Sequence, residues 1–180
     1  MHSSKGRIRI IGGAFRGRRI AVAERGALRP TPDRVRETLF NWLGQHLEGM
    51  RCLDLFAGSG ALGFEAASRG AAHVVMVEND RVAFARLRQT LEALGASTVS
   101  LVHGDAFAYL AAAGERFDVV FLDPPFRQNA LPALLAALPP RLAPGARVYV
   151  ESPEPIADAA WRELKRARAG QVSYQLLERR

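Results

Sequence analysis

The sequence predicts a Rossmann-like α/β fold with a mostly parallel sheet of seven strands, and three observations lead to this prediction. From Arg51 onward, short apolar runs alternate with helical patterns, which is typical of parallel strands joined by helices. A glycine turn at 58–60 stands where the first of these strands passes into a helix. Residues 164–169 and 172–177 flank Gly170 as a strand pair, so we expect the last strand to run antiparallel.

The predicted elements follow from these patterns in chain order. Two short strands joined through a glycine-rich turn form an N-terminal hairpin, and a helix follows the Pro30-Thr31-Pro32 loop, capped by Thr31 or Asp33. We divide the chain into a basic hairpin extension, 1–29, and a main domain, 30–180. The strands are predicted over 7–11, 18–22, 52–56, 73–78, 99–103, 118–122, 147–151, 164–169 and 172–177, and the later helices over 61–68, 81–94, 106–112, 130–138 and 157–162.

Composition excludes several classes of protein. With 180 residues, 48% of them hydrophobic, the chain can bury one good core but not two full α/β domains. The single cysteine, Cys52, excludes a disulfide scaffold, and the apolar runs are too short to span a bilayer. No apolar region at the start resembles a secretory signal, so we expect a cytoplasmic protein. The four histidines are scattered, and we predict no metal site.

Positive charge is concentrated at the start of the chain. Residues 1–36 hold ten Lys or Arg against two acids, whereas the other 144 residues are near neutral. The arginines alternate with Ile8, Ile10, Phe15 and Ile20, a pattern that indicates folded structure rather than a solvated tail. A folded, Arg-rich extension on a neutral body predicts contact with a polyanion.

The glycine turn predicts a nucleotide site. Residues 58–63 match G-x-G-x-x-G, and Glu78 ends the next strand twenty residues after Gly58, which is also the pattern of a dinucleotide-binding enzyme. On this motif alone an NAD enzyme stays open. Backbone N–H groups at such a turn face any ligand that lies there.

Acidic residues favour S-adenosylmethionine over NAD. Asp54 lies inside the strand before the turn, and Glu78, Asp105 and Asp123 follow successive strand ends, so together they outline one crevice. Glu78 can accept both ribose hydroxyls, and Asp105 can accept from the adenine amine. This cofactor has no pyrophosphate and carries a sulfonium cation, so an acidic rim suits it. Taken singly, an acid such as Asp105 is equally well explained as a helix cap.

The Asp123-Pro124-Pro125-Phe126 motif predicts chemistry on a planar amine. The Asp123 carboxylate and the Pro124 carbonyl could accept both N–H bonds of a nucleobase amine and aim its lone pair at the methyl group. Phe126 would stack on the base, a contact of about 1 to 3 kcal/mol. The sequence therefore predicts a Rossmann-like class I S-adenosylmethionine-dependent methyltransferase that acts on an NH2 group. Ser59 is not in a G-x-S-x-G context, so a hydrolase is not favoured.

Four segments resemble the RsmD family of bacterial ribosomal RNA methyltransferases. They are RIIGGAFRGRRI (9–20), RPTPDRVRETLFNWL (29–43), LDLFAGSGALG (53–63) and DPPF (123–126). The first two are specific to the family, and the others are shared with many amine methyltransferases. The resemblance implies methylation of the exocyclic N2 of one guanine in small-subunit (16S) ribosomal RNA, within an assembled or assembling subunit. We also expect the protein to act as a monomer without a metal.

The resemblance also implies roles for individual residues. Residues of the glycine turn and its preceding strand would bind the methionine end of the cofactor. Glu78 would bind its ribose, and Asp105 and Ala106 would bind its adenine. The segment from Thr31 to Arg36 would close over the cofactor, and Asp123 to Phe126 would form the target-base pocket. The residues implied at the methionine end are Asp54, Phe56, Gly58, Ser59 and Gly60, and those predicted to bind RNA are Arg7, Arg9, Arg16, Arg18, Arg19, Arg34 and Arg127.

Three alternatives stay open at this point. An adenine-N6 or cytosine-N4 DNA methyltransferase shares the Asp-Pro-Pro-aromatic motif, although 180 residues leave little room for a target-recognition domain. An NAD-dependent oxidoreductase shares the glycine pattern. An RNA-binding assembly factor with a vestigial cofactor site is the third.

Overall fold

A computed structural model describes residues 6–22, 31–112, 114–125 and 129–180. Among these residues the hairpin strands are β1 (Arg7–Arg9) and β2 (Arg19–Ala21), followed by helix α1 (Asp33–Trp42). The main body then alternates strand and helix. Its elements are β3 (Arg51–Asp54), α2 (Ala61–Ser68), β4 (His73–Glu78), α3 (Arg81–Leu94), β5 (Val99–His103), α4 (Ala106–Ala111), β6 (Phe117–Leu122), α5 (Leu131–Ala137), β7 (Leu142–Ser152), β8 (Trp161–Ala169) and β9 (Val172–Arg179).

The main sheet has seven strands in the order β5-β4-β3-β6-β7-β9-β8. Strands β3 to β7 pair in parallel, and β9 runs antiparallel to both β7 and β8. The predicted sheet, mostly parallel with an antiparallel last strand, is therefore confirmed. In such a sheet the carboxyl ends of β3 to β7 lie along one edge, where ligands of open α/β sheets bind.

Helices cover both faces of the sheet and bury one apolar cluster on each. One cluster joins the hairpin to the helices before and after β3, through residues such as Ile8, Ile20, Phe40 and Phe64. The other lies under α4 and α5 and includes Leu134. Burial of each large aliphatic side chain is worth about 1.5 to 3 kcal/mol, so the hairpin isoleucines stabilise its attachment to the body.

Two local predictions are wrong, and both have a physical reason. The helix expected over 157–162 is a turn that leads into β8, because the Asp158 carboxylate accepts from Ala160 N at 2.8 Å and Gln175 bonds both backbone groups of Ile156. Helix α1 has no side-chain cap: Pro32 precedes it, and the Thr31 hydroxyl donates to Glu151 instead. No helix in the part of the chain that the structure describes is long and apolar enough to cross a membrane.

Candidate active site

The glycine turn between β3 and α2 is held in shape by Glu78 at the end of β4. Glu78 accepts from Gly58 N through Oε2 and from Asp80 N through Oε1, both at 2.8 Å. Gly60 has a φ of 84°, and a Cβ there would lie 2.5 Å from the Phe64 ring, so this position requires glycine. The glycines and the acid that the sequence singles out are therefore brought together in one turn.

Asp54 is a buried carboxylate directly beneath this turn. Its Oδ2 accepts from Gly63 N at 3.1 Å, in the first turn of α2. The pKa of Asp54 is raised to about 7, mainly by burial and also by the nearby Glu78 charge, while hydrogen bonds from the N–H groups of Gly63 and Phe56 partly oppose the rise. A cationic ligand group beside Asp54 would favour its charged form. The site is thus built to gain from a positive charge.

The part of the crevice that the sequence predicts to receive adenine lies at the start of α4. Asp105 caps this helix by accepting from Ala108 N at 3.0 Å, and Ala106 beside it is buried. The cap explains Asp105 structurally, so its contact with a cofactor stays a prediction. The His103 ring packs on Phe84 with ring centroids 5.0 Å apart, and these rings lie beside the crevice.

The predicted target-base residues follow β6, next to the cofactor crevice. Asp123 is half-buried, Pro124 is buried and Pro125 is exposed. Burial raises the pKa of Asp123 well above its usual range, and the charges of Glu151 and Asp54 add to this. Phe126 and Arg127, which the sequence also predicts as site residues, lie outside the described residues.

Glu151, at the end of β7, belongs to the same cluster of acids and is missing from the sequence prediction. It is 9% exposed, and its Oε1 accepts from the Tyr149 hydroxyl at 2.6 Å and the Thr31 hydroxyl at 3.1 Å. Phe121 pairs with Tyr149, so Asp123 and Glu151, two residues further on each strand, lie on the same face. The sequence does contain a signal for Glu151, because this residue ends a predicted apolar strand, 147–151, as Glu78 ends the strand over 73–78.

The segment from Thr31 to Arg36 is joined to the body by Arg36. Its guanidinium is fully buried and donates to Glu65 Oε2 from Nη1 and to the Thr31 carbonyl from Nε, each at 3.3 Å. These bonds give Arg36 a structural role between helices. Direct contact of Arg36 or Thr31 with a cofactor stays a prediction.

The basic hairpin is held on α2 by hydrogen bonds from its backbone N–H groups to side chains of the helix. Glu65, which is fully buried, accepts from Ile11 N at 2.9 Å and Gly12 N at 2.8 Å, and Ser68 Oγ accepts from Phe15 N at 2.9 Å. The predicted RNA-binding arginines project from this docked hairpin and from α1. Arg7, Arg9, Arg16, Arg18, Arg19 and Arg34 are all exposed.

Other groups in the described residues offer no competing chemistry. Within 6–22, 31–112, 114–125 and 129–180, no three His, Cys, Asp or Glu side chains are grouped so that they could hold a metal ion. Cys52 is buried inside β3, and burial raises the pKa of its thiol to about 12, so it is no nucleophile. The acid-lined carboxyl edge is therefore the candidate site.

Comparison with known proteins places the chain in a family. A model of the family described as "Conserved hypothetical protein 95" matches residues 8–178. The chain belongs to this family. It is 45% identical over 184 residues to "Ribosomal RNA small subunit methyltransferase D" of Escherichia coli (strain K12), covering 99% of this chain and 93% of that protein. The resemblance to the RsmD family is thereby confirmed.

Solved structures support the same placement. The Escherichia coli protein yhhF superposes with a TM-score of 0.87 at 46% identity, covering 97% of this chain and 98% of that one. An RNA methyltransferase from Salinibacter ruber in complex with S-adenosyl-L-homocysteine superposes with a TM-score of 0.66 at 23% identity, covering 82% and 92%. At that identity the second comparison shows the shared fold alone.

Proposed function

We propose that this protein transfers a methyl group from S-adenosylmethionine to the exocyclic N2 amine of a guanine in small-subunit ribosomal RNA. The observation that carries the proposal is the meeting of the glycine turn, the buried Asp54 and the Asp123-Pro124-Pro125 segment at one edge of the sheet. Full-length similarity to a ribosomal RNA methyltransferase supports it.

The residues of the crevice suit this cofactor chemically. Asp54 gains from a cation, and the cofactor's ammonium and sulfonium are cations, so Asp54 and the turn residues Phe56, Gly58, Ser59 and Gly60 would hold its methionine end. Each Glu78 oxygen retains a lone pair beyond its backbone bond and would accept a ribose hydroxyl. Asp105 and Ala106 would line the adenine. The bound cofactor supplies an electrophilic methyl group.

Asp123 and Pro124 would orient the target amine. A guanine N2 lone pair is delocalised into the ring, so it is a poor nucleophile until its two N–H bonds are held. The Asp123 carboxylate and the rigid Pro124 carbonyl accept them and direct the lone pair at the methyl carbon. Pro125 fixes the backbone direction, and Phe126 would stack on the base.

The position of the hairpin favours a large, folded RNA as the substrate. Arg18 donates to the carbonyl of Ala93, near the end of α3, and a helix that follows a parallel strand ends at the amino edge of the sheet. Helix α3 has 14 residues and is therefore about 20 Å long. RNA that touches both Arg18 and the target pocket must span that height, as the RNA of a ribosomal subunit can. We further propose that the protein acts as a monomer in the cytoplasm.

The division of the chain at residue 29 is part of the same proposal. Residues 1–29 would serve as an RNA-binding extension and 30–180 as the catalytic domain. None of the alternatives considered from the sequence is favoured by the relatives, since the full-length relative named above is a ribosomal RNA methyltransferase.

The direct test uses purified protein, labelled S-adenosylmethionine and small subunits that lack the modification. We expect label in the small-subunit RNA, recovered as N2-methylguanosine by mass spectrometry of nucleosides. Label in another nucleoside would refute the guanine-N2 assignment. No transfer to subunits or to their free RNA would refute the function as a whole.

A second test locates the RNA surface. Arg16, Arg18 and Arg19 replaced together by Gln should weaken subunit binding and flatten its salt dependence by up to about 2 units, at about 0.7 per phosphate contact on single-stranded RNA. Cofactor affinity, measured as the control, should not change. An unaltered salt slope would exclude the hairpin surface. The next surface to test would be Lys165 and Arg168 on the edge strand β8, where register places Arg168 level with Ser152.

A further inference from the structure

Asp123 and Glu151 form a pair of neighbouring carboxyl groups on one face of the sheet. Strands β6 and β7 are parallel neighbours, and Leu122 pairs with Val150. The next residues, Asp123 just after the end of β6 and Glu151 one residue before the end of β7, therefore lie side by side. Each is close enough to the other for their proton affinities to be linked.

The two carboxyl groups have different surroundings. Glu151 accepts hydroxyl hydrogens from Tyr149 and Thr31, and both bonds favour its charged form. Among the described residues no group donates a hydrogen bond to Asp123, which instead faces the negative charges of Glu151 and Asp54. Burial raises the pKa of both groups, but only Glu151 is offset by hydroxyl donors. Asp123 therefore takes up a proton first.

The remaining groups around the pair do not change this order. Tyr174 on β9 pairs with Glu151 in register, and the pKa of Tyr149 is raised well above its usual range by burial and by Glu151, so Tyr149 remains a neutral donor. Arg36 on α1 bonds Thr31, but its guanidinium is occupied by the Thr31 carbonyl and the carboxylates of Glu65 and Asp33. No described cation bonds either member of the pair.

We propose that Glu151 is a positioning residue for the reaction: its carboxylate, held charged by Tyr149 and Thr31, makes Asp123 a proton acceptor for the target amine. This rests on the proposed methyl transfer. The N–CH3 bond forms as the S–CH3 bond breaks, and the electron pair of the broken bond stays on sulfur. The amine nitrogen, now cationic, gives one proton to an Asp123 oxygen, and Asp123 later releases it to water. Glu151 does not touch the substrate.

The test measures the dependence of kcat/KM on pH for the parent protein and two variants. Glu151→Gln keeps the shape and an acceptor oxygen for Tyr149 and Thr31 but removes the charge, so the acid limb should move by about one pH unit toward lower pH. The plateau kcat should fall about tenfold, with cofactor Kd unchanged. Glu151→Asp keeps the charge while straining both hydroxyl bonds, and its acid limb should stay near that of the parent.

A merely structural role predicts the opposite ranking, because the shortened Asp side chain disturbs packing more than Gln does. A matched charge-removal control is Glu115→Gln, at the amino edge beside Arg51, which should leave the pH profile unchanged. If the acid limb of the kcat/KM profile does not move in Glu151→Gln, the inference is wrong. If the parent itself does not methylate small subunits, the proposed function fails instead.

A measurement without substrate keeps the two failures separate. Carbon-detected NMR of aspartate-labelled protein, with Asp123→Asn used to assign the signal, gives the titration of Asp123 directly. We expect its midpoint to fall by about one pH unit in Glu151→Gln and to hold in Glu151→Asp. Equal midpoints in all three proteins would refute the pairing whatever the activity.

Discussion

The attachment of the basic hairpin depends on Glu65, and removing this side chain should destabilise the whole protein. Glu65 is fully buried in α2 and accepts hydrogen bonds from four groups. Two are the backbone N–H groups of Ile11 and Gly12. The other two are the guanidinium groups of Arg36 at 3.3 Å and Arg69 at 2.9 Å.

The magnitude follows from what Glu65→Ala leaves behind. Arg36 is fully buried and would retain only Asp33 as a charge partner, and the two backbone donors would lose their acceptor. Removal of one partner from a buried ion pair destabilises a protein by about 3 to 5 kcal/mol. For a chain of this length each kcal/mol lowers Tm by about 2 to 4 °C, so we expect a fall of about 6 to 20 °C.

Urea unfolding followed by far-UV circular dichroism measures the loss, and limited proteolysis reports whether the hairpin detaches first. The matched control is Glu92→Ala on the exposed face of α3, which should change the unfolding free energy by less than about 0.5 kcal/mol. A loss below about 1 kcal/mol for Glu65→Ala, with an uncleaved hairpin, would contradict the role assigned to this carboxylate.

Three further predictions concern the acids of the crevice. Asp123→Ala should nearly abolish methyl transfer with little change in cofactor affinity; turnover near the parent rate would contradict the amine contact. Glu78→Ala should weaken cofactor binding by about 1.5 to 3 kcal/mol in calorimetry, since a charged acceptor is lost and the turn loosens; unchanged affinity would exclude the ribose assignment. Because the folded pKa of Asp54, about 7, exceeds the unfolded value of 3.8, the folded state binds more protons between those values, and Asp54 lowers stability as pH rises. Asp54→Asn should remove up to about 1.4 kcal/mol per pH unit of this dependence in urea unfolding between pH 4 and 7, and identical slopes would refute it.

Much of the fold could be predicted because its signals are local. The glycine turn, the apolar strand runs and the helix spacing each lie within a few residues, and the bounds of α2, α3, β4 and β5 agree with those predicted. The prediction of a helix over 157–162 is wrong because Gln175, which is distant in sequence, bonds the backbone of Ile156 and holds the segment before Trp161 in a turn. Local propensity cannot anticipate such a contact.

The site shows the same limit. Glu78, Asp105 and Asp123 are predicted from their positions at strand ends, whereas Glu151 is not, and the partners of the buried acids are not predicted because they lie far along the chain. Glu65 stands in a helix whose residues are all buried, and a carboxylate there requires donors, yet those at Ile11 and Gly12 are 54 and 53 residues away. Thr31 and Glu151 are 120 residues apart. The sequence could therefore indicate that such acids need partners without indicating which.

Arg36 connects the hairpin, which is proposed to bind RNA, with the pocket that is proposed to receive the target base. Its guanidinium bonds Glu65, which holds the hairpin, and the carbonyl of Thr31, whose hydroxyl bonds Glu151 beside Asp123. A family-specific segment thus lies between the surface proposed to bind RNA and the pocket proposed to receive the base. The contacts of Arg36 with Glu65 and the Thr31 carbonyl, and that of the Thr31 hydroxyl with Glu151, are buried, so they cannot rearrange at little cost as surface ion pairs can. Arg36, which the sequence predicts to contact the cofactor, therefore has a structural role. Its fixed guanidinium holds both Glu65, which binds the hairpin, and Thr31, which binds Glu151.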